Sequence, residues 1–90
     1  MNSKVTKVRP IGISTLYVKF NTGESGFFDV SPYWNSSFFK ELQDINYFRR
    51  VKVWNGTIQW PHEQDFAPET IYLESKRKMR SSIGLSLIHI

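Results

Sequence analysis

Cysteine is absent from this 90-residue chain, which excludes a disulfide framework and any thiolate metal site. A reducing cytoplasm is the plain reading. Long apolar runs are absent too. None approaches the ~18 residues of a membrane span, and the opening stretch from Met1 to Arg9 lacks the apolar region of a signal peptide. The expectation is a soluble, cytoplasmic protein. Internal repeats and low-complexity tracts are missing, and no acid follows Glu74. Four of the twelve basic residues, Lys76, Arg77, Lys78 and Arg80, therefore stand unopposed. They leave eight basic against eight acidic groups in residues 1–75. The folded part is formally neutral, and the net charge of +4 sits in one short segment. A uniform nucleic-acid-binding face would instead spread Lys and Arg over the elements of the domain.

Converging chemical groups are scarce as well. The densest set is His62-Glu63-Gln64-Asp65, one His and two carboxylates on a short polar loop. A general base or a metal site needs several such groups meeting in a pocket. Asp29, just ahead of Ser31-Pro32, reads as an acceptor for backbone N–H groups at the start of a turn. Asp65 and Glu69 read as capping groups around Pro68. The expectation is no catalytic residue, no cofactor and no metal: a binding protein and not an enzyme.

What the chain does have is aromatic bulk: seven Phe, four Tyr and three Trp, in a composition that is 40% hydrophobic. A chain this short is one domain, and large rings must supply much of a small core. Val5 and Val8 suggest a first strand, stopped by Arg9-Pro-Ile-Gly12. From Thr15 to Phe20 the sequence alternates, with Leu16, Val18 and Phe20 on one face and Tyr17 and Lys19 on the other. That is the period of a half-buried strand. Asn21-Thr-Gly-Glu24 supplies a turn, and Ser25 to Val30 returns antiparallel. Ser31 as N-cap with Pro32 at the first position marks a short helical turn. Asn35-Ser-Ser37 can cap a helix from about Phe38 to Gln43, with Phe38 and Leu42 on one face. Asp44 caps a further turn through Asn46 and Tyr47. Phe48 to Trp54 and Thr57 to Trp60 flank Asn55-Gly56, the dipeptide of a type I′ hairpin. Pro68 and Glu69 open a short helix or an extended segment. The predicted fold is α+β, a small antiparallel sheet of β-hairpins with one or two short helices packed on it. Its core face combines Leu16, Val18, Phe20, Phe28, Val30, Val51, Val53, Ile58 and Trp60. The domain spans residues 1–75, and residues 76–90 form a basic, then apolar, C-terminal tail.

This order of elements resembles the bacterial domain-of-unknown-function family 2442. The residues that carry it are Leu16, Val18 and Phe20, Gly23-Glu24, and Phe28-Asp29-Val30-Ser31-Pro32. They continue with Phe38, Leu42, Phe48, Val51, Val53, Gly56, Ile58, Trp60, Asp65, Pro68-Glu69 and Ile71-Tyr72. The resemblance covers residues 4–74. In that family an Asp-Gly usually forms the first turn and a Gly-Ala-Asp stretch often follows the Trp. Here those places read Thr22-Gly23 and Glu63-Gln64-Asp65. The resemblance implies a small domain often encoded beside a companion of a second uncharacterised family, 4160, in suspected toxin-antitoxin pairs. Some relatives carry a following helix-turn-helix domain, and nothing of that size follows Leu73 here.

Adjacent aromatic pairs complete the picture. Neighbouring residues on a strand or helix point different ways, so Tyr33-Trp34 and Phe38-Phe39 each leave a ring for the surface. Exposed rings favour a protein partner. Tyr33, Trp34 and Phe39 are the candidate partner-binding residues, and the product of an adjacent gene is the candidate partner. The reading is a protein-interaction module, antitoxin-like in its specific version. The alternative is a nucleic-acid-binding accessory domain using Lys76, Arg77, Lys78 and Arg80.

Overall fold

Turn chemistry sets the topology. The computed structural model describes residues 3–75. β1 (Val5–Ile11), β2 (Thr15–Phe20) and β3 (Ser25–Asp29) form an antiparallel sheet in the order β1-β2-β3. Gly12 and Gly23 stand in the two connections with φ of 63° and 92°, a backbone region that glycine enters without steric cost. A 3₁₀ turn at Ser31–Tyr33 follows, then a second at Lys40–Gln43 and the short α1 (Ile45–Phe48). β4 (Lys52–Trp54) and β5 (Thr57–Gln59) make a separate two-stranded sheet. Its turn residues Asn55 and Gly56 both have positive φ, 51° and 80°, as the type I′ reading requires. Residues 68–75 are helical and are called α2. The fold is α+β, with two antiparallel sheets and short helical elements. Among the described residues no helix is long and apolar enough to cross a membrane.

The register fixes which face is the core. Leu16 pairs with Phe28, Val18 with Gly26 and Phe20 with Val5, so one face of the sheet is apolar and buried. Onto it pack Leu42, Phe48, Ile58, Trp60, Phe66 and Ile71. Trp60 is fully buried, and its Nε1–H donates to the Phe48 carbonyl at 2.9 Å. That bond satisfies the one polar atom of a ring that is otherwise ideal core material. α2 is tied to the sheet by Tyr72, whose ring meets Phe20 edge-on at 5.1 Å and whose hydroxyl donates to Glu24.

Several local expectations are corrected. Of the expected stop Arg9-Pro-Ile-Gly12 only Gly12 ends β1, which runs through Arg9 and Pro10 to Ile11, with Pro10 paired to Leu16. β1 has β2 as its one neighbour in the sheet, and an edge strand tolerates a proline that cannot donate. Phe48 belongs to α1 and not to the strand that follows. The Asp44 carboxylate accepts the Asn46 N–H at 3.0 Å and holds the turn as expected, and that turn reaches Phe48. At the earlier turn the capping oxygen comes from Asp29, which accepts the Ser31 N–H at 2.9 Å, while Ser31 itself is the first 3₁₀ residue.

Val53 does not join the core face. It is 37% exposed, β4 is exposed along its length, and Val51 is only half-buried. The reason is that the short second ribbon turns β5 inward, with Ile58 in the core, and leaves β4 as its exposed strand. Phe38 and Leu42 do not share a helix face either. The chain forms a 3₁₀ turn there, in which residues three apart align, so the inward pair is Phe39 and Leu42.

Candidate functional site

Phe38, in the turn just ahead of that 3₁₀ segment, faces outward, and its ring is 53% exposed. A series of rings supports it from beneath. Phe38 packs edge-on against Phe39 at 4.7 Å. Phe39 stacks on Phe66 at 4.6 Å with an interplanar angle of 4°. Phe66 in turn meets Phe28 at 5.0 Å and Tyr33 at 5.1 Å, both edge-on. Edge-to-face and stacked pairs at such distances are the favourable aromatic geometries. An exposed ring is thereby joined to the centre of the core through two intermediates. Its position is set by packing and not by a flexible loop.

The backbone of Phe38 is fixed by a second, polar set of contacts. Gln64 is 3% exposed, and its Nε2 donates to the Phe38 carbonyl at 3.3 Å and to Glu41 Oε1 at 2.7 Å. Its Oε1 accepts from the Tyr47 hydroxyl at 2.6 Å. The Tyr47 oxygen also accepts the His62 N–H at 2.8 Å, and the two rings stack at 5.2 Å. His62 Nδ1 closes the circuit on Glu41 at 2.8 Å. A buried side-chain amide must find partners for both of its ends, and here it finds them on two segments, residues 38–41 and α1. The hydrogen bond from His62, then that from Gln64, holds the Glu41 carboxyl below the usual carboxylate range.

The loop that carries Gln64 is built on an unusual backbone. Glu63 has φ of 71°, the left-handed region, and its N–H donates to the Trp60 carbonyl at 2.8 Å. The Trp60 N–H donates in turn to the Gln64 carbonyl at 3.0 Å, and Gln59 bridges Asp65. Glu63 and Gln64 stand where the resembled pattern has Gly-Ala. The glycine position is therefore the one that needs positive φ, and the alanine position is the one filled here by the buried amide.

His62 and Glu41 form a histidine–carboxylate pair, the arrangement that orients a general base. Both side chains are largely in water, at 65% and 47% exposure. Among the described residues no three His, Asp or Glu side chains converge on a metal-sized site. Asp29 accepts a backbone N–H, as its sequence position suggested. What the arrangement can do is hold an aromatic surface in one geometry.

The sequence-derived candidates fall around this surface. Tyr33, Trp34 and Phe39 are each half-buried and packed against the core cluster. The Trp34 carbonyl accepts from Gln43 Nε2 at 2.7 Å, which ties the Tyr33-Trp34 turn to the 3₁₀ turn of residues 40–43. Of the pair Phe38-Phe39 the exposed ring is Phe38 and not the chosen Phe39, and no site role was expected for Gln64 or Glu41. A period of three linking Phe39 to Leu42 was the signal available for Phe38. Lys76, Arg77, Lys78 and Arg80 lie outside the described residues.

Residues 5–77 match the family described as Protein of unknown function (DUF2442), and the chain belongs to that family. No curated protein and no solved structure matches it.

Proposed function

We propose that this DUF2442 domain is a non-catalytic protein-interaction module whose contact surface centres on Phe38, flanked by Phe39, Tyr33 and Trp34. One observation carries the reading: the exposed Phe38 ring is backed by Phe39 stacked on Phe66, while its carbonyl is held by the buried Gln64. Large rings dominate interface energies because they bury much area at little entropic cost, provided that they are already in place. The specific version is an antitoxin-like role in the cytoplasm, with the product of an adjacent gene as the bound partner. The support for that version is the pairing with a companion gene that the family resemblance implies.

The test is co-purification with the neighbouring gene product, followed by titration of variants. Phe38→Ala weakens binding by more than ~1 kcal/mol and leaves the unfolding transition in place. Asp65→Ala changes binding little. In cells, the antitoxin-like version requires that expression of this chain relieve the growth defect caused by its neighbour. A folded Phe38→Ala variant that binds the partner as well as the parent would reject the surface.

A further inference from the structure

The main sheet has a second face, turned away from the core and from Phe38. Alternation along the strands and the register of the pairs place three rows of side chains on it. The middle row is Arg9, Tyr17 and Phe27, neighbours across β1, β2 and β3. The next row is Lys7, Lys19 and Ser25. The third, Ile11, Thr15 and Asp29, lies at the other end of the strands.

Three features of this face call for a ligand. Phe27 on the edge strand β3 is 46% exposed, and half-buried Tyr17 on the central strand meets it edge-on at 6.0 Å, so an aromatic surface faces water on this side of the sheet. Lys7 sits directly opposite Lys19, an arrangement of like charges that destabilises a strand pair. Among the described residues neither lysine, nor Arg9, has an ion-pair partner. The one acid on this face, Asp29, is engaged with the Ser31 backbone N–H. Residues 1–75 are neutral as a whole, so three of their eight cations on one aromatic face is a local segregation of charge.

We propose that this face binds a single strand of nucleic acid. An unpaired base stacks on the Phe27 ring, and the backbone phosphates lie over Lys7 and Lys19, with Arg9 across Tyr17 from the stacked base. Stacking on an open ring needs a base whose flat face is free, which a single strand offers and a duplex does not. Adjacent rows on a sheet are two residues apart along the strand, about 7 Å, a span that one extended nucleotide can cover. An anion between Lys7 and Lys19 also removes their mutual repulsion, so the feature that costs stability in the free protein favours the complex.

The experiment titrates the full chain with a short fluorescent oligo(U) or oligo(dT) strand and with a duplex of equal length, at about 50 and about 200 mM salt. Either strand binds more tightly than the duplex. Phe27→Ala weakens strand binding roughly fivefold or more, the loss of one stacked base, whereas Phe27→Tyr retains it. The double variant Lys7→Gln, Lys19→Gln lowers the slope of log affinity against log salt by about 1.4, two phosphate contacts on a single strand. All of these positions lie on the outer face of the sheet, so Phe27→Ala stays folded and the double lysine variant, relieved of like-charge repulsion, unfolds no earlier than the parent. Three results would overturn the proposal. They are no strand binding at the lower salt; binding that ignores both changes and is lost only when Lys76, Arg77, Lys78 and Arg80 become Gln; and self-association that Phe27→Ala abolishes, which would make the face a contact between two copies.

Discussion

Replacing Gln64 by Ala tests whether the polar circuit under Phe38 holds the fold together. The substitution removes the acceptor of the Tyr47 hydroxyl at 2.6 Å and the donor to the Phe38 carbonyl at 3.3 Å. Glu41 is exposed, so water replaces the amide there and that bond is left out of the sum. Each of the other two is worth about 0.5–1.5 kcal/mol net, and stranding a buried hydroxyl without its acceptor pushes toward the upper end. The expected loss is about 1–3 kcal/mol, which for a domain of this size lowers the melting temperature by roughly 4–24 °C. Urea unfolding followed by tryptophan fluorescence measures it, since Trp60 lies in the adjoining core. Tyr47→Phe removes the other end of the shorter of these two bonds. The double variant should cost less than the sum of the singles, by about 0.5 kcal/mol or more, if the two side chains act as one unit. A Gln64→Ala domain as stable as the parent, or singles that add fully, would refute the reasoning.

Other expectations follow from the same geometry. Glu63→Gly should stabilise by about 0.5–1 kcal/mol, because Glu63 holds a left-handed backbone that glycine adopts freely; a loss of stability in thermal unfolding would contradict it. Phe20→Ala should cost about 3–5 kcal/mol and Val53→Ala well under half of that, since the first side chain is buried and the second is at the surface; equal costs in urea titration would reject the burial pattern. The Glu41 carboxyl is held low first by the His62 hydrogen bond and then by that of Gln64. Its folded value lies below its unfolded one, so its stabilising contribution is fully present above the ordinary carboxylate range and is lost as pH falls through the folded value. His62→Ala should flatten that acid limb of a stability-against-pH curve, and an unchanged limb would remove Glu41 from the account.

Residues near one another in sequence were legible because local chemistry decides them. Asn55-Gly56 needed two positive φ angles, Thr15 to Phe20 alternated, and Asp44 and Asp29 had backbone N–H groups two residues ahead to accept; each reading needs only a few adjacent residues. The α+β class and the inward set Leu16, Val18, Phe20, Phe28 and Val30 followed from those pieces. The segment from Asn35 to Gln43 resisted, because helical and 3₁₀ turns share caps and differ by a fraction of a residue in period. Packing of Phe39 on Phe66, far along the chain, selects the tighter turn and sends Phe38 outward.

Charge shows the same division. The sequence by itself determined that residues 1–75 are neutral and that a basic segment follows them. Only the tertiary structure decided that Lys7, Arg9 and Lys19 share one face with Tyr17 and Phe27, because strand register, a property of pairing between distant segments, brings them together. It also decided that Gln64, an unremarkable polar residue in a loop, is the buried partner of Tyr47 and Glu41. A side chain's partners across a fold are set by how the elements dock, and docking is a sum over many contacts that no short stretch of residues contains.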